Sequence, residues 1–206
     1  MDFSLPEELE ILRNTVRDFA SEKIAPFADE WDEKHYFPYE EAVKPMGELG
    51  LFGTVISEAY GGSEMGWLAA MIITEEIARA SSSLRVQVNM QALGCAYTIE
   101  TYGSEELKQK FLPPVVEGKM LSAGAFTEPG HGSDITSLDT TAVRDGDEWV
   151  INGTKTFITN GGLAGFYSVM CQTDTECQPS YRGISLILAE AEREGITTAD
   201  VGDKMG

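Results

Sequence analysis

Gly124-Ala125-Phe126-Thr127-Glu128-Pro129-Gly130-His131-Gly132-Ser133-Asp134 is answered downstream by Lys155-Thr156-Phe157-Ile158-Thr159-Asn160. The first stretch leaves an apolar run (121–126) and breaks into a loop of small residues. Gly130 and Gly132 let the backbone turn tightly and approach a ligand, because no Cβ stands in the way. Thr127 and Ser133 bring hydroxyls that donate and accept, and the bare amides of a glycine-rich turn suit carbonyl or phosphate oxygens. In the second stretch Phe157 precedes Thr159 by two residues, and on an extended strand those side chains share a face. A ring to pack a flat heterocycle and a hydroxyl to reach its edge suit a flavin. Either half alone reads as an ordinary turn.

The pattern differs on the two sides of residue 117. Downstream, Asp145-Gly146 and Asn152-Gly153 are hairpin dipeptides, and 148–151, 154–158, 166–171 and 183–188 read as strands around a polar loop at 174–180. Upstream, Ser4 and Glu7 stand at capping-box spacing, and Leu9, Leu12, Val16 and Phe19 recur at helical spacing until 23–26. A short helix or loop over 27–38 and a helix over 39–49 follow, then an irregular connector at 51–62 broken by Gly61-Gly62. Residues 66–80 read as a mostly buried helix, Ser81-Ser82-Ser83 offers caps for a helix over 84–102, and Ser104 caps a last one ended by Pro113-Pro114. The expectation is α+β: an all-helical domain over 1–116 and an antiparallel β domain over 117–206.

Composition narrows the partners. The 206 residues carry 42% hydrophobic and 24% charged side chains, ordinary for a globular chain long enough to bury a core. A net charge of −19 excludes nucleic acid as a partner, since phosphates need basic patches, and no basic amphipathic segment suits an anionic membrane surface. The charge still permits an anionic ligand held by local cations and backbone amides. Cys95, Cys171 and Cys177 are odd in number and scattered, as reduced thiols are, and suggest neither a disulfide framework nor a metal site. The acidic start Met1-Asp2-Phe3-Ser4 is unlike a signal peptide, and no apolar run reaches membrane-spanning length, so a soluble, cytoplasmic protein is expected.

Thr127-Glu128-Pro129-Gly130-x-Gly132-Ser133-Asp134 followed by Asn152-Gly153-x-Lys155-x-Phe157-Ile158-Thr159-Asn160 resembles the acyl-CoA dehydrogenase family, and the likeness runs the length of the chain. Phe126 and His131 depart from the family's pattern. The resemblance implies a helical N-terminal domain, a barrel-like middle domain and FAD as cofactor. It also implies that Gly124, Ala125, Phe126, Thr127, Glu128, Gly132, Ser133, Phe157, Ile158 and Thr159 border the flavin. Ser133 would also meet the pantetheine of an acyl-CoA, while Glu128 and Asp134 have a second reading as residues that fix the loop. The family reaction takes a proton α to the thioester carbonyl and passes the β-hydrogen to the flavin. The base it uses, an assembly as homotetramer and part of the FAD site belong to a C-terminal helical domain. The end at Lys204-Met205-Gly206 therefore reads as mid-domain, and the chain as an N-terminal part with no catalytic residue of its own. Electrons would leave through electron-transferring flavoprotein.

Arg85 stands among Leu84, Val86, Val88 and Met90. It either pairs with Glu75 or Glu76, or snorkels to water, or clamps a carboxylate at the far end of an acyl chain. Its surroundings resemble the glutaryl-CoA dehydrogenase branch of the family, which implies the clamp. Ala78, where decarboxylating members carry a glutamate, implies oxidation without loss of CO2. The alternatives are a benzylsuccinyl-CoA-type or short-chain enzyme, or a non-catalytic module without flavin. His131 is expected to face solvent, and His35 has no assigned role.

Overall fold

The structure, a computed structural model, describes residues 4–202; the readings of Met1 to Phe3 and of Lys204-Met205-Gly206 lie outside the described residues. The chain divides between Met120 and Leu121 into two compact units.

The first unit is helical. Helix α1 (Glu7–Lys23) begins with Pro6 in the N-cap position, so the expected Ser4 cap is not the one used. Proline suits a helix start, where its missing N–H has no partner to lose. Val16 and Ala20 bury one face of α1, and this helix packs on α4 (Gly66–Ala80). Between them lie α2 (Ala28–Glu33), a π-wound turn over Tyr39–Val43 and α3 (Lys44–Glu48). Val43, Met46, Phe52, Ile73, Ile77 and Leu112 are fully buried at the centre. Glu76 is buried there too, and takes Arg17 in a fork at 2.9 and 2.6 Å, with Arg79 at 3.8 Å.

Ser81 caps α5 (Ser82–Val88), its Oγ accepting from the Leu84 amide at 3.2 Å. The helix runs on through a π-wound stretch (Asn89–Ala96) into α6 (Tyr97–Tyr102). Ser104 caps α7 (Glu105–Val116) through the Leu107 amide at 3.4 Å. Pro113-Pro114 does not end α7, contrary to expectation: the prolines lack donors, but their carbonyls accept from Glu117, Lys119 and Met120 and close the last turn. Among the described residues no helix is long and apolar enough to cross a membrane.

The second unit holds one sheet: β1 (Ser122–Ala125), β2 (Thr141–Asp145), β3 (Glu148–Asn152), β4 (Phe166–Gln172) and β5 (Ile184–Glu190). A helical domain followed by a β domain is as expected, but the sheet is mixed, not antiparallel. Strand β4 pairs in parallel with β1 (Ser122↔Phe166) and, at Thr141↔Gln172, with β2, while β5 lies antiparallel to it. The connection from β1 to β4 is long enough to bring the chain back in the same direction, and it carries both quoted stretches.

Two local expectations are corrected. Asp145 faces Glu148 across the two-residue turn Gly146-Asp147, with Gly146 at φ +61°, so the hairpin turns one residue later than the expected Asp145-Gly146, and Asn152-Gly153 makes no hairpin. Gly153 instead lies against Thr140, whose Oγ1 would stand 2.2 Å from an added Cβ. Residues 154–158 form no strand: Phe157 has φ +56° and Asn160 φ +63°, and the Asn160 carbonyl accepts from Leu163 and Ala164 in a tight turn.

Candidate functional site

Strand β1 delivers Gly124 and Ala125 into the glycine-rich loop. Ala125 is buried with Ala123, Ala164 and Tyr167, and Ile158 packs on that cluster. The Phe126 ring covers Gly124, its Cε2 3.2 Å from where a Cβ would sit. The two quoted stretches meet directly. The Thr156 amide donates to the Thr127 carbonyl at 2.9 Å, and Lys155 Nζ donates to the Phe126 carbonyl at 3.1 Å.

Glu128 holds this junction together. Its Oε1 accepts from Lys155 Nζ at 2.8 Å and the Thr140 amide at 3.0 Å, and its Oε2 from the Asp139 amide at 2.6 Å. Burial would raise its carboxyl, but Lys155 and the two amides outweigh that and hold it down at about 2. Its backbone closes the turn with His131 at 2.9 and 3.2 Å. Glu128 is 4% exposed and its acceptors face inward, so it fixes the loop. Asp134 does the same locally, taking Ser137 Oγ at 2.6 Å and Thr136 Oγ1 at 3.0 Å. His131 is half-buried rather than solvent-facing, with Nε2 3.2 Å from Asp139 Oδ2. Glu128, His131 and Asp139 bring ligand atoms within 4.8 Å of one another, but Lys155 already neutralises Glu128 and would repel a cation.

The expected pairing of Phe157 and Thr159 on one strand face is not found, because the backbone turns left-handed at Phe157 and again at Asn160. The turn points the Phe157 ring outward, 71% exposed, while Ile158 goes to the apolar cluster. Gly132 and Ser133 are exposed, and Thr127 and Thr159 half-buried. The hydroxyls of Thr127, Ser133 and Thr159 make no hydrogen bond to any described residue, so three donor-acceptors and one bare ring stand around the joined stretches. That donor set fits a flavin, whose pyrimidine edge offers both donors and acceptors and whose faces are flat.

Three residues without a role in the sequence reading complete the support. Lys155 is described above, Asn160 Nδ2 donates to the Ser122 carbonyl at 3.0 Å, and the Tyr167 hydroxyl donates to the Gly161 carbonyl at 2.6 Å. The scarcity of cations, 15 against 34 acidic residues, was the signal that could have singled out Lys155.

Arg85 belongs to the first unit, on α5, and is half-buried. Of its two candidate partners, Glu76 is taken by Arg17 and Arg79, and the Arg85 guanidinium makes no ion pair or hydrogen bond to Glu75 or to any other described residue. A cavity of about 260 Å³ lies in the same unit, lined by Trp31, His35, Tyr36, Phe37, Leu84 and Gln87; Arg85 does not line it.

Residues 6–119 match the family model for the acyl-CoA dehydrogenase N-terminal domain, and residues 123–206 that for the acyl-CoA dehydrogenase middle domain. The chain is 52% identical over 209 residues to a glutaryl-CoA dehydrogenase of Desulfococcus multivorans, covering 100% of this chain and 53% of that protein. The fold is similar to that of a glutaryl-coenzyme A dehydrogenase glutaryl-CoA complex (TM-score 0.89, 53% identity), over 92% of this chain and 48% of that one. It is also similar to a glutaryl-CoA dehydrogenase from Mycobacterium smegmatis in complex with FADH2 (TM-score 0.90, 31% identity), over 98% of this chain and 50% of that one. The chain thus spans about half the length of the curated relatives it matches.

Proposed function

Because the chain belongs to the acyl-CoA dehydrogenase family, we propose that it forms the flavin loop and the acyl-carboxylate clamp of an enzyme that oxidises glutaryl-CoA, or a similar dicarboxylyl-CoA, to the 2,3-enoyl-CoA. The observation that carries the substrate class is the Arg85 guanidinium, half-buried and without a partner among the described residues. A cation in that state is a poor structural device, since ion pairing would stabilise it, and a good receptor for a carboxylate in fork geometry. The similarity to glutaryl-CoA dehydrogenases supports the same substrate.

FAD, when bound, supplies the hydride acceptor that no side chain can provide. The chain's own residues would orient and enclose it: the Thr127, Ser133 and Thr159 hydroxyls would hydrogen-bond its polar edge and phosphate region, and Phe157 would pack on its ring. Glu128 and Lys155 keep the loop in place without touching the reacting atoms. In this reading the catalytic base lies outside these residues, the protein works in the cytoplasm as a homotetramer, and electrons pass to electron-transferring flavoprotein.

The test compares glutaryl-CoA with butyryl-CoA as reductants of the flavin in the protein made from the complete reading frame. Arg85→Ala should cut kcat/KM for glutaryl-CoA by about a hundredfold and leave butyryl-CoA within a few-fold, as expected for a lost bidentate charge pair. A chain that prefers butyryl-CoA, indifferent to Arg85→Ala, is a short-chain enzyme instead. With Ala78 in place of an acidic neighbour, the product should be glutaconyl-CoA; crotonyl-CoA as main product overturns that part.

A further inference from the structure

We propose that Asn89 positions the Arg85 guanidinium for an acyl carboxylate, a role that rests on the dicarboxylyl-CoA reading above. Asn89 stands four residues after Arg85, so the two project from the same face of the helix. Its backbone amide donates to the carbonyls of Arg85 and Val86, which holds the two residues one turn apart. The Asn89 side-chain Oδ1 is buried and has no hydrogen-bond partner among the described residues. Native folds rarely keep a buried amide oxygen without a donor, because its lost hydration is not repaid. One turn earlier, the Arg85 donors have no acceptor among the described residues. An orphan acceptor and an orphan set of donors therefore occupy neighbouring positions on one helix face.

The two halves fit the same ligand. A guanidinium carries five N–H donors and a carboxylate takes two of them in a fork, which leaves others for the Asn89 oxygen. The two make no hydrogen bond to each other in this structure, so the contact forms as the acyl group arrives, and the Asn89 oxygen then takes the donors that the carboxylate leaves free. The local helix geometry supports a ligand site as well. Asn89 opens the π-wound stretch Asn89–Ala96, and such widened turns recur where helices meet ligands. The neighbouring amide, Gln91, is already engaged, its Nε2 donating to the Met120 carbonyl at 2.8 Å. Asn89 acts through Arg85 and touches no reacting atom, so it is a positioning residue.

The test is steady-state kinetics of the flavin-loaded protein from the complete reading frame, with glutaryl-CoA and butyryl-CoA, on Asn89→Ala, Asn89→Ser, Asn89→Asp and Arg85→Ala. Asn89→Ala should raise KM for glutaryl-CoA about tenfold more than KM for butyryl-CoA, with a smaller change in kcat. Asn89→Ser keeps an acceptor oxygen and should recover part of that loss. Asn89→Asp sets a carboxylate beside Arg85 and should depress glutaryl-CoA binding further by competing with the substrate. Equal losses for both thioesters, or none for either, would mean a purely structural asparagine and overturn the proposal. The two readings separate cleanly: if Arg85→Ala leaves the thioester preference unchanged, the dicarboxylyl reading fails and takes this one with it. If Arg85→Ala abolishes the preference and Asn89→Ala does not, only the Asn89 proposal fails.

Discussion

A single buried carboxylate organises the glycine-rich loop, and its energetics can be read from its partners. Glu128 sits at about 2 against an ordinary 4.5 because Lys155 and two amides favour its charged form over the cost of burial. The folded value is depressed, so the stabilisation is fully present above pH 4.5 and is lost as pH falls towards 2. Its full size is about 3 kcal/mol, since moving a pKa by one pH unit is worth roughly 1.4 kcal/mol. Glu128→Gln should therefore lose about 2–3 kcal/mol at pH 7, and the deficit should shrink between pH 4.5 and 2. Urea unfolding at pH 7 and pH 3 measures it; a deficit that is the same at both values would show that Glu128 is held by packing alone. Lys155→Met should cost more, about 3–5 kcal/mol, because it strands a buried charge. The partner lies 27 residues away in sequence, beyond a hairpin, which is why the acidic residue was legible as a loop-fixing candidate and its lysine was not.

At the scale of elements, the glycines of the hairpin region separate conformation from contact. Gly146 turns the β2–β3 hairpin at φ +61° in open space, whereas Gly153 is wedged against Thr140. Gly146→Ala should cost about 1 kcal/mol, the strain of a left-handed alanine. Gly153→Ala should cost more, about 2–3 kcal/mol, from overpacking a buried threonine. Since the Thr140 amide also holds Glu128, in the proposed flavoprotein Gly153→Ala should release FAD more readily, and Gly146→Ala should not. Thermal melts and flavin fluorescence after gel filtration read both; equal costs would show that Thr140 yields freely. The helices were legible because their signals are local: apolar spacing in α1 and α4, and serine caps at Ser81 and Ser104. What escaped was non-local. Nothing near residue 157 announces that Ile158 will enter an alanine-lined patch and rotate its neighbour outward, and nothing near Ser122 announces a parallel partner at Phe166. The proline pair in α7 misled for a different reason, since it removes donors but leaves the carbonyls that close the helix end.

Over the whole chain, electrostatics sets two length scales in opposition. In the proposed enzyme, this chain's net charge of −19 would repel a polyanionic CoA thioester at a distance, while Arg85, half-buried and without an ion pair among the described residues, would attract its carboxylate at contact. Salt acts on these unequally. Raising ionic strength from 0.01 to 0.15 M shortens the screening length from about 30 Å to about 8 Å, which removes the distant repulsion first and weakens a partly buried contact least. The second-order rate of encounter should therefore rise with salt across that range, by about twofold or more, where a cation-lined binding surface would show a fall. Stopped-flow flavin reduction by glutaryl-CoA at the two ionic strengths reads the rate directly. A fall with salt would mean that the thioester meets a local field of positive charge strong enough to reverse the chain's overall sign. With 15 basic residues against 34 acidic ones, and Lys155 and Arg17 committed to Glu128 and Glu76, the chain has few cations left to build that field. On the proposed reading, the acyl carboxylate would be recognised by one arginine at short range, reached against the long-range field, and specificity would depend on how well that arginine is held.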